Sequence, residues 1–193
     1  MGRPRGSQPA AGPAPRPAEF KSGFACFVGR PNVGKSTLMN ALVGTKIAIT
    51  SSRPQTTRRA IRGIVHRPDA QLVIIDTPGL HRPRTLLGER LDSLARSTLT
   101  EVDVIGFCLP ASERIGPGDR YLADELAGIG KTPVVAIVTK TDQVSRDRVA
   151  AQLAAVGDLG EWADVVPVSA VSGFQLDVLA GVLVSHLPAG MPL

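Results

Sequence analysis

An α/β fold built on a mostly parallel sheet, with a phosphate-binding loop at its carboxyl edge, is predicted by three observations. Short apolar runs alternate with helix-like segments from Lys21 onward. The first run leads into the Gly-rich "GRPNVGKS", which itself opens a helix pattern. The polar motifs "DTPG", "TKTD" and "SA" each stand at the end of an apolar run, where ligands of open α/β sheets gather.

Taken in order, residues 1–20 are Pro, Ala, Gly and Arg with little to bury, and read as a disordered arm ahead of one domain over 21–193. "GFACFVG" is a buried strand, and "KSTLMNALV" is a helix closed by Gly44. "AIRGIVHR" and "AQLVIIDTP" are strands joined through the turn-like "RPDA", which makes them a hairpin. "TLLGERLDSLARSTLT" has helical spacing of Leu and Ala. "VDVIGFCLP" and "PVVAIVTK" are strands flanking the helix "DRYLADELAGIG". "RDRVAAQLAAVG" is an amphipathic helix, "DVVPVSA" a last strand and "FQLDVLAGVLVSHL" a last helix.

Bulk properties narrow the function. The 193 residues suit one domain with a full core. No apolar run approaches the roughly 18 residues of a membrane helix, and the N-terminus lacks the apolar stretch of a signal peptide. Net charge +5 and pI 9.8 permit a polyanionic partner. Cys26 and Cys108 sit inside apolar runs without paired metal-ligand spacing, so both are expected to be buried reduced thiols, as in a reducing cytosol.

The loop Gly29–Ser36 fits GxxxxGK[ST]. Gly29 and Gly34 let the backbone curl its N–H groups around phosphates, and the helix starting near Lys35 adds its positive end. Lys35 is expected to reach the β and γ phosphates, and the Ser36 hydroxyl to coordinate magnesium. Arg30, Pro31, Asn32, Val33 and Thr37 complete the nucleotide-contacting stretch. Asp76 ends a strand, where its carboxylate would hold the magnesium through water, and the Gly79 N–H would sense the γ phosphate; Thr77, Pro78 and Leu80 flank them. In "TSSRPQTTRRAIRG", Thr57, or Thr56 beside it, would complete the magnesium shell only when a γ phosphate is present. Arg53, Arg58, Arg59 and Arg62 cluster there.

The base would be read by Lys140 and Asp142 in "TKTD", with Thr139 and Thr141 around them, and by Ser169 and Ala170. A carboxylate accepts both N1–H and the exocyclic amine of guanine, but faces a lone pair at adenine N1. The Lys140 stem would lie along the base, and the Ala170 N–H would reach O6.

Together "GRPNVGKST", "RPQTTR", "DTPGLH", "TKTD" and "VSAVSG" resemble the motifs of the TrmE–Era–EngA GTPases, "RPQTTR" with "DTPGLH" being nearest to the Era branch. The resemblance covers about Gly23 to Leu193. It implies a Ras-like G domain with a six-stranded sheet whose second strand is antiparallel and whose helices lie on both faces. It implies GTP/GDP and Mg²⁺ as ligands, hydrolysis of GTP, and assistance to the maturation of the small (30S) ribosomal subunit and its 16S rRNA; with Leu80 unable to align water, that hydrolysis is expected to be slow. Asn32 matches an asparagine that helps bind K⁺ in place of an arginine finger. Lys35, Asn32, Thr57, Asp76 and Gly79 thus form the expected catalytic set. The expected state is a cytoplasmic monomer, with peripheral contact at the inner face of the cell membrane open to it.

Three departures stand out. Thr139 replaces the Asn of the usual NKxD motif; its hydroxyl could bond guanine N7 or tie the strand to the phosphate loop, at a loss of about 1 kcal/mol in nucleotide affinity, roughly one net hydrogen bond. Leu80 stands where Ras-type enzymes carry a water-orienting glutamine, and His81 reads as a surface residue rather than a general base. The RNA-clamping KH domain of the branch finds no matching GXXG loop with its flanking pattern in these residues. Two other readings remain: the G domain of a related tRNA-modifying or ribosome-assembly GTPase, and a GTP-gated binding module that scarcely hydrolyses.

Overall fold

The computed structural model describes residues 19–44, 61–77 and 96–193. Its strands are β1 (Lys21–Val28), β2 (Ile61–Arg67), β3 (Ala70–Ile75), β4 (Val104–Pro110), β5 (Val134–Thr139) and β6 (Asp164–Pro167), joined in one sheet of order β2-β3-β1-β4-β5-β6. All neighbours run parallel except β2 and β3. Only Pro68 and Asp69 separate those two, a link far too short for a parallel crossover.

The helices are α1 (Lys35–Val43), α2 (described over 96–101), α3 (Pro117–Ala127), α4 (Arg146–Leu159) and α5 (Leu176–Ser185). Strand alternation distributes them over two faces. Ala25 and Phe27 of β1 point to one side, into a core with Leu38, Met39 and Leu42 of α1 and Leu179 and Leu183 of α5. Cys26 and Val28 point to the other, into a core with Leu99 of α2, Leu122 and Leu126 of α3 and Val156 of α4. Neither Cys26 nor Cys108 is in a disulfide, and both are fully buried. Gly106 of β4 is required by this packing, because a Cβ there would stand 2.7 Å from the Phe27 ring and 2.9 Å from Ile137. Among the described residues no helix is long and apolar enough to cross a membrane.

Among the boundaries that differ from expectation, two lie at the carboxyl end of the chain. The last strand ends at Pro167; Val168 keeps one bond to Val138 O of β5 (2.8 Å), and Ser169 and Ala170 leave the sheet. The last helix begins at Leu176 rather than Phe174, because Gly173 (φ 79°) and Gln175 (φ 56°) occupy the left-handed region that a right-handed helix excludes.

The residues after α5 form a strap under the amino end of β1. Gly190 N–H donates to Phe20 O (2.9 Å), Ser22 N–H to Pro188 O (3.2 Å), and Ser22 Oγ to Met191 O (2.7 Å). The Leu193 N–H donates to Oε1 of the buried Gln71 on β3 (2.6 Å). Phe20, read above as arm, therefore belongs to the domain; residues 1–18 lie outside the described residues.

Candidate nucleotide site

The loop between β1 and α1 carries the expected curl. Asn32 (φ 64°) and Gly34 (φ 99°) both turn left-handed, which reverses the chain and points it into α1. Gly29 sits directly on β4, where a Cβ would come within 2.8 Å of both Cys108 O and Val33 Cγ2. Only a glycine allows this approach. The Lys35 ammonium lies across the loop and donates to Gly29 O (2.6 Å) and Arg30 O (2.8 Å). Burial lowers its pKa below the usual lysine value, and the neighbouring Arg30 charge adds to the effect. Burial likewise pushes the Cys108 thiol beneath it up to about 12, so that thiol stays protonated at physiological pH.

At the other end of the rim, β5 delivers Thr139, Lys140 and Asp142. Lys140 is left-handed (φ 58°) and donates to Asn32 O (2.6 Å), so its stem passes over Gly34. The buried Thr139 hydroxyl donates to Val33 O (2.6 Å). Of its two expected roles, the structure shows the tie to the phosphate loop. Asp142 accepts from Ser169 Oγ (2.8 Å), which in turn accepts from Ser172 N–H (3.1 Å). A pocket of about 180 Å³ opens between these pieces, lined among others by Gly34, Thr37, Thr139, Lys140, Asp142 and Ala170. Ser169 and Thr141 are not on its wall. Ser169 is fully buried behind it and acts by aiming the Asp142 carboxylate.

Between the two ends, Ser36 is the second residue of α1 and Asp76 follows β3 directly. Because β1 and β3 are neighbours, in register at Cys26 and Ile75, Asp76 leaves the sheet beside the strand that feeds the loop. Thr77 holds it there by donating to Phe27 O (3.1 Å). One hydroxyl and one carboxylate, both exposed on the same rim, are the sparse oxygen set that magnesium takes up together with phosphate oxygens and water. Thr57, Pro78, Gly79, Leu80, His81, Arg53, Arg58 and Arg59 lie outside the described residues. Arg62, on β2, is exposed and reaches Asn40 Oδ1 (3.4 Å).

Arg30 is the residue whose expected role changes. Its guanidinium faces away from the loop, with Nε donating to Asp119 Oδ1 and Nη2 to Glu113 Oε2, each at 2.7 Å. These hydrogen bonds, first to Asp119 and then to Glu113, raise its pKa further above the usual value. Asp119 also accepts the Gly116 N–H (2.9 Å) and so caps α3. Buried Gln152 of α4 donates to Pro110 O and Glu113 O, clamping the same segment from behind. Sequence reading missed Asp119, Glu113 and Gln152, since each resembles an ordinary helix or loop residue. It also missed Gln143, Val168 and Val171 on the pocket wall.

Comparison with known proteins gives this arrangement a family. A family profile described as "50S ribosome-binding GTPase" matches residues 24–140. The chain is 64% identical over 184 residues to GTPase Era of Streptomyces coelicolor, covering 92% of this chain and 58% of that protein. It superimposes on a crystal structure of Era in complex with MgGDPNP and nucleotides 1506–1542 of 16S ribosomal RNA with TM-score 0.76 and 36% identity, over 90% of this chain and 59% of that one. An Aquifex aeolicus Era variant bound to GDP·AlF4⁻ gives TM-score 0.75 and 35% identity, over 90% and 60%. The chain therefore spans somewhat over half the length of the relatives it matches. With a Ras-like sheet, and with the Gly29–Ser36 loop and Asp142 on one rim, the chain belongs to the 50S ribosome-binding GTPase family and, within it, groups with the Era proteins.

Proposed function

We propose that this chain is a G domain that binds GTP and GDP with Mg²⁺, hydrolyses GTP slowly, and uses the difference to control contact with the small ribosomal subunit. The observation that carries the nucleotide reading is the pairing of Asp142 with Ser169 beside Ala170, in a pocket continuous with the phosphate loop. A carboxylate aimed in this way accepts two N–H groups of guanine and repels adenine N1. Gly29 to Thr37 cradle the phosphates, Lys35 turns from the loop carbonyls to the β and γ oxygens, and Ser36 and Asp76 hold the metal. The metal, once bound, neutralises charge developing on the phosphates. Thr57 and the Gly79 N–H close on the γ phosphate, and Leu80 leaves the attacking water without a side-chain director.

K⁺ is the proposed substitute for a second cation, held with the help of the Asn32 amide, whose side chain makes no hydrogen bond among the described residues. The rRNA proposal draws on the Era structure solved with a 16S segment, whereas the family description names the larger subunit. Because the chain spans 58% of its Streptomyces relative, RNA contact belongs to the proposal for the whole protein. The cytoplasm is the proposed location, with a monomer as the working state.

Calorimetric titration of the parent and of Asp142→Asn with GDP and ADP tests the reading. The parent binds GDP far more tightly than ADP, and Asp142→Asn loses about 10- to 100-fold in GDP affinity, the worth of hydrogen bonds to a charged acceptor. Equal binding of GDP and ADP by the parent refutes it. Single-turnover phosphate release is expected to be faster in K⁺ than in Na⁺; equal rates remove Asn32 from the mechanism.

A further inference from the structure

We infer that this protein reads guanine without its N7. The inference rests on the guanine reading above and concerns which edge of the base is recognised. N7 is an acceptor and requires a donor. The residue at the head of the base motif is Thr139, and a hydroxyl carries one proton. That proton is committed to Val33 O at 2.6 Å, between two residues that are 3% and 1% exposed. Turning it toward a base would strand a buried carbonyl, and the desolvation cost of that exceeds the net gain of one base contact. An amide in the same place has two N–H donors and could serve the loop and the base together.

Lys140 Nζ is drawn onto the phosphate loop by Asn32 O at 2.6 Å. Backbone donors around the pocket are occupied as well. The N–H groups of Thr141, Gln143 and Val168 donate to Val168 O, Lys140 O and Val138 O, and that of Ser169 to Phe174 O. Asp142 offers only acceptors for the N1 edge, and the Ala170 N–H serves O6. Specificity therefore rests on the N1, N2 and O6 edge, and the Thr139 position has become a strut under the phosphate loop.

The test compares Kd values for GDP, 7-deaza-GDP, IDP and ADP. In 7-deaza-GDP a C–H replaces N7, and IDP lacks the exocyclic amine. The expected result is that 7-deaza-GDP binds within about twofold of GDP, while IDP is about tenfold or more weaker, having lost a hydrogen bond to a carboxylate. Thr139→Asn is expected to create a preference for GDP over 7-deaza-GDP of about fivefold, one net hydrogen bond. Should that variant fail to fold, the comparison on the parent protein decides alone. If 7-deaza-GDP binds the parent fivefold or more weakly than GDP while ADP remains excluded, this inference is overturned and the guanine reading survives. Recovery of 7-deaza-GDP binding to parity with GDP in Gln143→Ala would then assign N7 to that side chain. If GDP and ADP bind alike, both readings fall.

Discussion

Replacing Asp119 with alanine removes the acceptor that joins the phosphate loop to α3. The side chain is 1% exposed and holds two donors, Arg30 Nε at 2.7 Å and the Gly116 N–H at 2.9 Å. Loss of a helix cap costs about 1 kcal/mol. Breaking a fully buried ion pair costs about 3–5 kcal/mol, but the Arg30 side chain is 28% exposed and keeps Glu113, so solvent screening reduces that share to about 1–2 kcal/mol. Asp119→Ala should therefore lose about 2–3 kcal/mol in urea unfolding of the nucleotide-free protein, or about 5–10 °C in Tm for a domain of this size. Asp119→Asn keeps an acceptor for Gly116 and loses only the charge, so it should fall about halfway. A double-mutant cycle with Arg30→Ala should give a coupling of about 1 kcal/mol or more. An Asp119→Ala protein within about 0.5 kcal/mol of its parent, or an additive cycle, would refute the claim that this pair braces the loop.

The two thiols provide a check on the core. Cys26 and Cys108 are fully buried, and Cys108 is pushed up to about 12, so neither should react with a thiol reagent at pH 8 until denaturant releases two per chain. Stoichiometric labelling of the native protein would contradict the packing. Lys35 supplies a pH dependence. Nucleotide favours its charged form, so affinity should decline as pH rises through the lowered lysine pKa, with proton uptake on binding visible as buffer-dependent heats. The free protein has the opposite sign: the half-buried ammonium costs stability below that lowered value, and the cost is relieved as pH climbs toward 10.5. Affinity that is flat across the alkaline range would argue against Lys35 as the phosphate ligand.

Local chemistry made much of this molecule legible. The hairpin follows from a two-residue link, α1 from a glycine at either end, and the phosphate loop from glycines whose absent side chains the packing on Cys108 demands. What escaped were relations between distant residues. Nothing in "GDRYLADE" announces that Asp119 serves an arginine 89 positions earlier, and no local pattern marks Thr139 as a support for Val33 across 106 positions. Ser169 was found as a motif residue, yet its part, aiming a carboxylate, emerged only from burial. The late start of α5 likewise depends on a left-handed Gln175, a conformation that side chains adopt only when their surroundings impose it. "HLPAGMPL", unremarkable as a string, proved to be the strap.

That strap has a mechanical consequence. Phe20 and Gly190 are hydrogen-bonded, so the polypeptide enters and leaves the domain through a single doorway, about 25 Å along β1 from the phosphate loop. A pull applied at Phe20 and Gly190 therefore loads the bonds at the floor of the sheet first, at the far end of β1 from the nucleotide rim. β3 spans the same distance, bearing Asp76 at one end and clasping Leu193 through Gln71 near the other.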